Sequence, residues 1–268
     1  MTNASTFRAL HAPGHLLVLP NAWDAASARL VEECGAQAIA TTSSGVAWAQ
    51  GYPDGNAMPP SVVVAAVAAI GRVVRVPLTA DVEAGYSSEP ATVGELVARV
   101  LDAGAVGINL EDGGDSPDLL CAKIEAVKRA ARGATDVFVN ARTDVFLRGL
   151  VPADRAVAET IERARRYRAA GADGVFVPGV IAVDDIRAVA AGVEPLPLNV
   201  MAWPGLPDAP ELRALGVRRL SAGAAIVSRV LGIARRSAVE FLRGENTAAM
   251  FDGSIAYAEM NGLLRPRD

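Results

Sequence analysis

Residues 76–86 read VPLTADVEAGY, and residues 106–113 read VGINLEDG. Each is a short apolar run that stops abruptly at carboxylates, Asp81 and Glu83 in the first and Glu111 and Asp112 in the second. A strand buried on both faces shows such a run, and acids placed where it leaves the core are set for metal binding or proton transfer. If the two strands are parallel neighbours, their acids converge on one rim.

Working outward, four segments share one pattern: ECGAQAIATTSSG from Glu33, DAGAVGINLEDG from Asp102, AAGADGVFVPG from Ala169 and ALGVRRLSAG from Ala214. In each a helix ends at a glycine able to adopt positive φ, and an apolar strand then runs into small or polar residues. This is the αβ half of a βα repeat. Completing it predicts eight strands, at 16–20, 38–42, 76–80, 106–111, 137–141, 174–177, 196–201 and 218–222.

Helical patterns fall between them, at 61–73 behind Pro59-Pro60, from Ser116-Pro117 to Arg132, and at 152–170, 182–190, 209–215 and 223–243. Asp24 opens DAASARL and is expected to cap that helix. Continuous alternation without a linker predicts one domain over residues 1–268. Eight strands predict closure into a (β/α)8 TIM barrel, which typically takes ~250 residues. Residues 246–264 follow the eighth unit and are apolar. They are expected to form an extra C-terminal helix, which either covers the barrel wall or is handed to a neighbouring subunit.

Composition narrows the chemistry. No run approaches the ~20 apolar residues of a membrane helix, and the N-terminus shows no basic segment followed by an apolar stretch and cleavage site, so a soluble cytoplasmic protein is expected. A net charge of −4 with scattered arginines gives no footprint for nucleic acid. Cys34 and Cys121 sit in helical patterns without metal-ligand spacing. The only histidines are His11 and His15, ahead of the first strand, and the only lysines are Lys123 and Lys128, inside one helix. A triad therefore has no evident base and a Schiff-base enzyme no strand-end lysine.

In a βα barrel the site lies at the C-terminal strand ends. These nominate Asn21 with Trp23 and Asp24, then Ser43-Ser44-Gly45 with Asp54, then Asp81 and Glu83, Glu111 and Asp112, Asn140, Arg142 and Asp144, and finally Asn199. Asp81, Glu83 and Glu111, with Asp54 possible as a fourth, form an oxygen-only set suited to Mg2+ or Mn2+. Asp112 and Asp115 are expected as turn and cap residues ahead of Pro117. Ser43-Ser44-Gly45 offers backbone amides and a hydroxyl to an anion such as a carboxylate. Arg142 can clamp a carboxylate or stabilise an oxyanion, and can also pair with the acids. Together these describe a site for a small oxyacid passing through an enolate.

TTSSGVA with GYPDG, TADVEAGY, INLEDG and NARTDVF resemble, in order, motifs of the isocitrate lyase/phosphoenolpyruvate mutase superfamily. The resemblance implies a barrel whose last helix is exchanged between paired subunits in a dimer of dimers. It implies Mg2+ near Asp81, with Asp54, Glu83 and Glu111 acting partly through waters. Ser44 and Gly45 would hold the carboxylate of a 2-oxo acid, with Arg142 on its far side. Arg142 and Asp54 are thus the expected catalytic residues, and Ser44, Gly45, Arg142 and Asn199 the expected substrate contacts. One departure matters: the Cys-bearing loop of the isocitrate and methylisocitrate lyases is missing, since LEDGGDSPDLLCAKIEAVKRA runs straight into a helix that holds Cys121 at the wrong offset. Decarboxylation or retro-aldol cleavage of a 2-oxo or 2-hydroxy carboxylate is therefore expected. A C–P bond enzyme and a non-catalytic 2-oxo acid binding protein are the alternatives.

Overall fold

The computed structural model describes residues 2–131, 137–244 and 247–265. Its strands are β1 (Leu17–Leu19), β2 (Asn21–Ala22), β3 (Ile39–Thr41), β4 (Leu78–Asp81), β5 (Gly107–Glu111), β6 (Phe138–Arg142), β7 (Gly174–Phe176), β8 (Leu198–Met201) and β9 (Val217–Ser221). All pair in parallel, in the order β1-β9-β8-β7-β6-β5-β4-β3-β2, which makes a nearly closed barrel wrapped by helices.

Each expected strand is present, but the first is split. Pro20 has no N–H to donate, so the ladder breaks there: β1 pairs with β9 and β2 with β3. The two halves of one strand thereby join both ends of the sheet. Asn21 fastens the seam, its Nδ2 donating to Thr41 O at 2.8 Å while its Oδ1 accepts from the amides of Ala222 and Gly223, both at 2.9 Å. Eight βα units result from nine strand segments.

The glycines of the repeated pattern do what it required. Gly35, Gly104, Gly171 and Gly216 all have φ between 92° and 110°, a region that side chains with a Cβ rarely enter. Helices Pro60–Gly71, Pro117–Ala130, Ala153–Ala169, Val183–Val193, Ala209–Ala214 and Ala225–Leu242 match the expected segments within a few residues. Arg132, the expected end of the second of these, lies outside the described residues. Helix Pro90–Asp102, which the sequence signalled only by its end, buries Val93, Leu96, Val97, Val100 and Leu101 against the barrel. Among the described residues no helix is long and apolar enough to cross a membrane.

Register places the strand ends on one rim. Asp81 lies beside Asn109, and Glu111 lies beside Arg142. The opposite end is plugged by helix Asn3–Ala9, which no sequence signal had marked; Phe7 enters the barrel and meets Leu17, Leu19, Val106 and Phe138. His11 follows it, stacked on Phe138 at 4.4 Å, with its Nδ1 2.8 Å from Phe7 O.

Burial is the main reason that the His11 pKa falls to about 3, helped by the nearby Arg219 charge. A depressed histidine pKa means that below ~6.5 the unfolded chain takes up a proton that the folded chain refuses, so stability is complete above that pH and is lost as pH falls. Between pH 6.5 and 5 this amounts to about 2 kcal/mol. Urea unfolding at the two pH values should show His11→Phe losing less stability than wild type; equal losses would contradict the assignment.

The tail differs from the single helix expected over 246–264. Asn246 is outside the described residues. Beyond it a 3-10 helix (Thr247–Phe251) and a short α-helix (Tyr257–Leu263) are separated by a turn at Gly253, whose φ is 69°. The short helix rests on helix Ala25–Glu33, where Arg29 Nε donates to Leu263 O at 3.1 Å.

Candidate active site

The C-terminal rim opens into a cavity of about 500 Å3. Following the sheet, Asn21 of β2, Thr42, Ser43 and Ser44 after β3, Asp81 of β4, Asn109 of β5 and Arg142 of β6 line it, and Asp54 reaches in from the loop before helix Pro60–Gly71. Six of the nominated residues, Asn21, Ser43, Ser44, Asp54, Asp81 and Arg142, therefore share one cavity. Gly45, Glu83, Glu111 and Asn199 do not line it.

Ser43-Ser44-Gly45 is not a bare turn but the first turn of helix Ser43–Ala49, with Thr42 at its N-cap. The Ser43 amide donates to Asp81 Oδ2 at 3.3 Å, and Val46 N already bonds Thr42 O. The amides of Ser44 and Gly45 are those the helix leaves without an intrahelical acceptor. The Ser44 hydroxyl lies 3.1 Å from Thr42 Oγ1. Gly45 is there for packing, since a Cβ would sit 2.8 Å from Thr42 Cγ2 and 2.9 Å from Trp23 Cβ.

The carboxylates divide by what already holds them. Asp81 accepts only long amide contacts, from Ser43 at 3.3 Å and Glu83 at 3.5 Å, which leaves lone pairs for the cavity. Glu83 is turned away. Its oxygens accept the Tyr86 hydroxyl at 2.6 Å and the Asn56 amide, and Tyr86 N bonds back to Asn56 Oδ1. Asn56, Glu83 and Tyr86 all have positive φ, which costs a side chain roughly 1–2 kcal/mol, so this knot fixes the Asp54 loop at a price in backbone strain. Burial raises the Glu83 pKa, against its hydrogen bonds.

Glu111 pairs with Arg142 Nη1 at 2.8 Å, and Arg142 also donates through Nε and Nη2 to Asp144 at 2.7 and 3.2 Å. Burial pushes the Glu111 carboxyl up to about 8 despite the guanidinium beside it. The same pair of acids raises Arg142 further above its ordinary range, against the effect of its own burial. Phe176 packs 5.7 Å from the guanidinium carbon. Among the described residues no three His, Cys, Asp or Glu side chains come together as a metal cluster. The set Asp81, Glu83 and Glu111 is thus dispersed by other partners, Asn56 and Tyr86 on one side and Arg142 on the other.

Asn199 lies beneath the cavity. Its Oδ1 accepts from Asn140 at 3.0 Å, Asn140 also donates to Asn109 at 2.9 Å, and Arg219 Nη2 donates to that same Asn109 oxygen at 3.2 Å. This polar layer crosses the barrel interior, and Asn109 alone of its asparagines faces the cavity. The sequence reading passed over Asn109, although an asparagine inside VGINL was a visible interruption of an apolar run.

Asp24 caps helix Ala25–Glu33 through a capping box with Ser27, as expected. Asp112 opens the expected turn, its carbonyl accepting from the Asp115 amide at 2.8 Å, but it does not cap the helix. It is buried, accepting Arg163 at 2.9 Å, Tyr167 OH at 2.6 Å and the Asp144 amide at 2.9 Å, and the cap ahead of Pro117 is Ser116. Partners from a distant helix, invisible to local sequence, made that difference.

Lys123 bonds Ala84 O and Lys128 pairs with Asp173, and neither lysine lines the cavity. Cys121 sits in helix Pro117–Ala130, where burial raises its pKa, and does not line the cavity. Cys121→Ser should therefore leave turnover within about twofold of wild type. A loss of orders of magnitude in a folded variant would place the thiol in the reaction.

Fold and rim define a barrel enzyme with acids and an arginine around one cavity. Its family follows from comparison: the phosphoenolpyruvate phosphomutase model matches residues 7–242, and the chain belongs to that family, within the PEP mutase/isocitrate lyase superfamily. An oxaloacetate decarboxylase of Ectopseudomonas mendocina is 33% identical over 227 residues, 80% of this chain and 76% of the relative. The crystal structure of a candidate phosphonomutase from Burkholderia cenocepacia J2315 is 41% identical, covering 87% of this chain and 98% of its own, with a TM-score of 0.83. An oxaloacetate acetylhydrolase structure containing the product oxalate is 25% identical, covering 98% and 93%, with a TM-score of 0.86.

Proposed function

We propose that this chain is a Mg2+-dependent carbon–carbon lyase acting on a small 2-oxo or 2-hydroxy carboxylate through an enolate, and that decarboxylation of an oxaloacetate-like acid suits its site best. One observation carries this reading: among the described residues lining the cavity there is no His, Cys or Lys to deliver a proton at bond cleavage. Decarboxylation needs none. The C3–C4 pair of oxaloacetate passes into the enolate as CO2 leaves, and water protonates C3 afterwards to give pyruvate.

The donor set fits a hard divalent cation. Asp81 and Asp54 supply oxygen only, Asp81 has lone pairs to spare, and Mg2+ takes one or two carboxylates while keeping waters. Asp81 and Asp54 would hold it, with Glu83 and Glu111 behind them; Mn2+ would substitute. When bound, the ion would supply positive charge for the developing oxyanion. The Ser44 and Gly45 amides would receive the carboxylate of the 2-oxo acid. Arg142 has five N–H groups and commits three, so two remain for the substrate oxyanion, and Glu111 and Asp144 keep the guanidinium plane from turning. We read the exposed Leu231, Phe241 and Leu242 of helix Ala225–Leu242 as the face through which copies assemble, with dimers of dimers as the expected form.

The similarity to a candidate phosphonomutase favours a second reading, C–P chemistry. A phosphonate carries more charge than a carboxylate, yet Arg142 is the one cation among the described lining residues and two acids already share it. A panel of oxaloacetate, substituted malates, isocitrate, 2-methylisocitrate and phosphonopyruvate, followed by 1H and 31P NMR with Mg2+ and with EDTA, separates the two. Pyruvate from oxaloacetate, suppressed by EDTA, is expected; phosphate or phosphoenolpyruvate from phosphonopyruvate, with oxaloacetate untouched, would replace this reading with the second.

A further inference from the structure

The cavity has a second wall that the reaction does not use. In sheet order the lining is polar from β2 to β6, then apolar through Leu147 beyond β6, Phe176 of β7, and Met201, Trp203 and Pro204 at and after β8, before Ser221 of β9 and Ser228 bring hydroxyls back. In a barrel of eight units β8 stands four units from β4, directly across the mouth, so Met201 and Trp203 face the side that carries Asp81 and Ser44. A substrate anchored by its 2-oxo acid end at β3 and β4 would direct its other end onto this wall. No charged side chain among the described lining residues waits there for a second carboxylate. The volume of about 500 Å3 lies in the ~300–1,000 Å3 range of sites that enclose drug-sized ligands, more room than a four-carbon diacid needs.

We propose that the wall of Leu147, Phe176, Met201, Trp203 and Pro204 is a subsite for an apolar substituent, and that the preferred substrates are 2-oxo acids carrying an alkyl chain of several carbons on the carbon next to the carbonyl. This rests on the anchoring of the 2-oxo acid end described above. For a 3-alkyl oxaloacetate the C3–C4 bond breaks, its electron pair enters the enolate, CO2 departs, and a proton from water at C3 completes an unbranched 2-oxo acid. Each methylene moved from water onto the wall should improve affinity about fourfold at full burial.

The test separates binding from turnover. Calorimetric titration in Mg2+ compares 2-oxohexanoate with pyruvate, neither of which has a carboxylate to lose, in wild type and in Trp203→Ala, a residue on an exposed loop whose removal leaves the barrel core intact. The longer acid is expected to bind at least about tenfold more tightly, and Trp203→Ala to erase most of that ratio. Equal affinities, no binding of either acid, or a ratio unmoved by Trp203→Ala would overturn the subsite. Assays with oxaloacetate and 3-propyloxaloacetate run beside it. Higher kcat/KM for the propyl compound supports the substrate class, and preference for oxaloacetate overturns it. Absence of turnover of both, with the binding ratio intact, would sink the lyase reading while leaving the subsite standing.

Discussion

Asp81→Ala is expected to lower Mg2+-dependent turnover by at least about a thousandfold, the loss that several kcal/mol of oxyanion stabilisation implies. The basis is geometric. Of the acids on the rim, Asp81 alone ends a strand, faces the cavity and is held only by long amide contacts. Glu83 and Glu111 are committed to Tyr86, Asn56 and Arg142, and cannot replace it without giving up those partners. Asp81→Asn separates charge from shape, because the amide oxygen still accepts from Ser43 N while the negative charge is gone. Both variants should show urea midpoints near wild type and the same loss of turnover. Unchanged turnover in either would remove the metal site from Asp81.

Arg142→Ala should carry the second largest effect, and it should be felt in stability as well as in rate. Its removal strands Glu111 and Asp144, both largely buried, and breaking such an assembly on one side typically costs about 3–5 kcal/mol. Glu111 relieves part of this by taking a proton, its carboxyl being already raised to about 8 with the arginine present. A group whose folded pKa is raised favours the folded state at low pH and loses that contribution as pH rises through it, so the gap between variant and wild type should widen from pH 5 to pH 9. Arg142→Lys cannot reproduce three contacts in one plane, and should recover some stability but little turnover. Urea unfolding across that pH range, beside turnover, checks both; a gap that narrows with pH would contradict the assignment of Glu111.

The barrel was legible because its signals are local and repeated. A glycine ends each of four helices, an apolar run follows, and the acids of ADVEAG and LEDG mark where two strands leave the core. Parallel pairing of β4 with β5 then brought those acids to one rim, as expected of parallel neighbours. What escaped is non-local. Whether an acid at a strand end faces the cavity or a neighbour depends on side chains far along the chain: Tyr86 and Asn56 claim Glu83, Arg163 and Tyr167 claim Asp112, and Asn140 claims Asn199. Helix Asn3–Ala9 has only Phe7 buried, too few apolar positions to show a period, and it is the barrel opening that gives it a place. Pro20 was in plain view, but its breaking of the first strand into two halves that pair with neighbours on opposite sides follows only from barrel closure.

Oxalate is a planar dianion shaped like the enolate of pyruvate and cannot be cleaved. The measurement that tests most directly whether an enolate forms at a metal held by Asp81 is its calorimetric titration into three samples: wild type with Mg2+, wild type with EDTA, and Asp81→Asn with Mg2+. Binding in the first alone is the predicted result. Equal binding in all three would contradict the account, because oxalate would then be held by the Ser44 and Gly45 amides and Arg142 without any contribution from Asp81 or its ion.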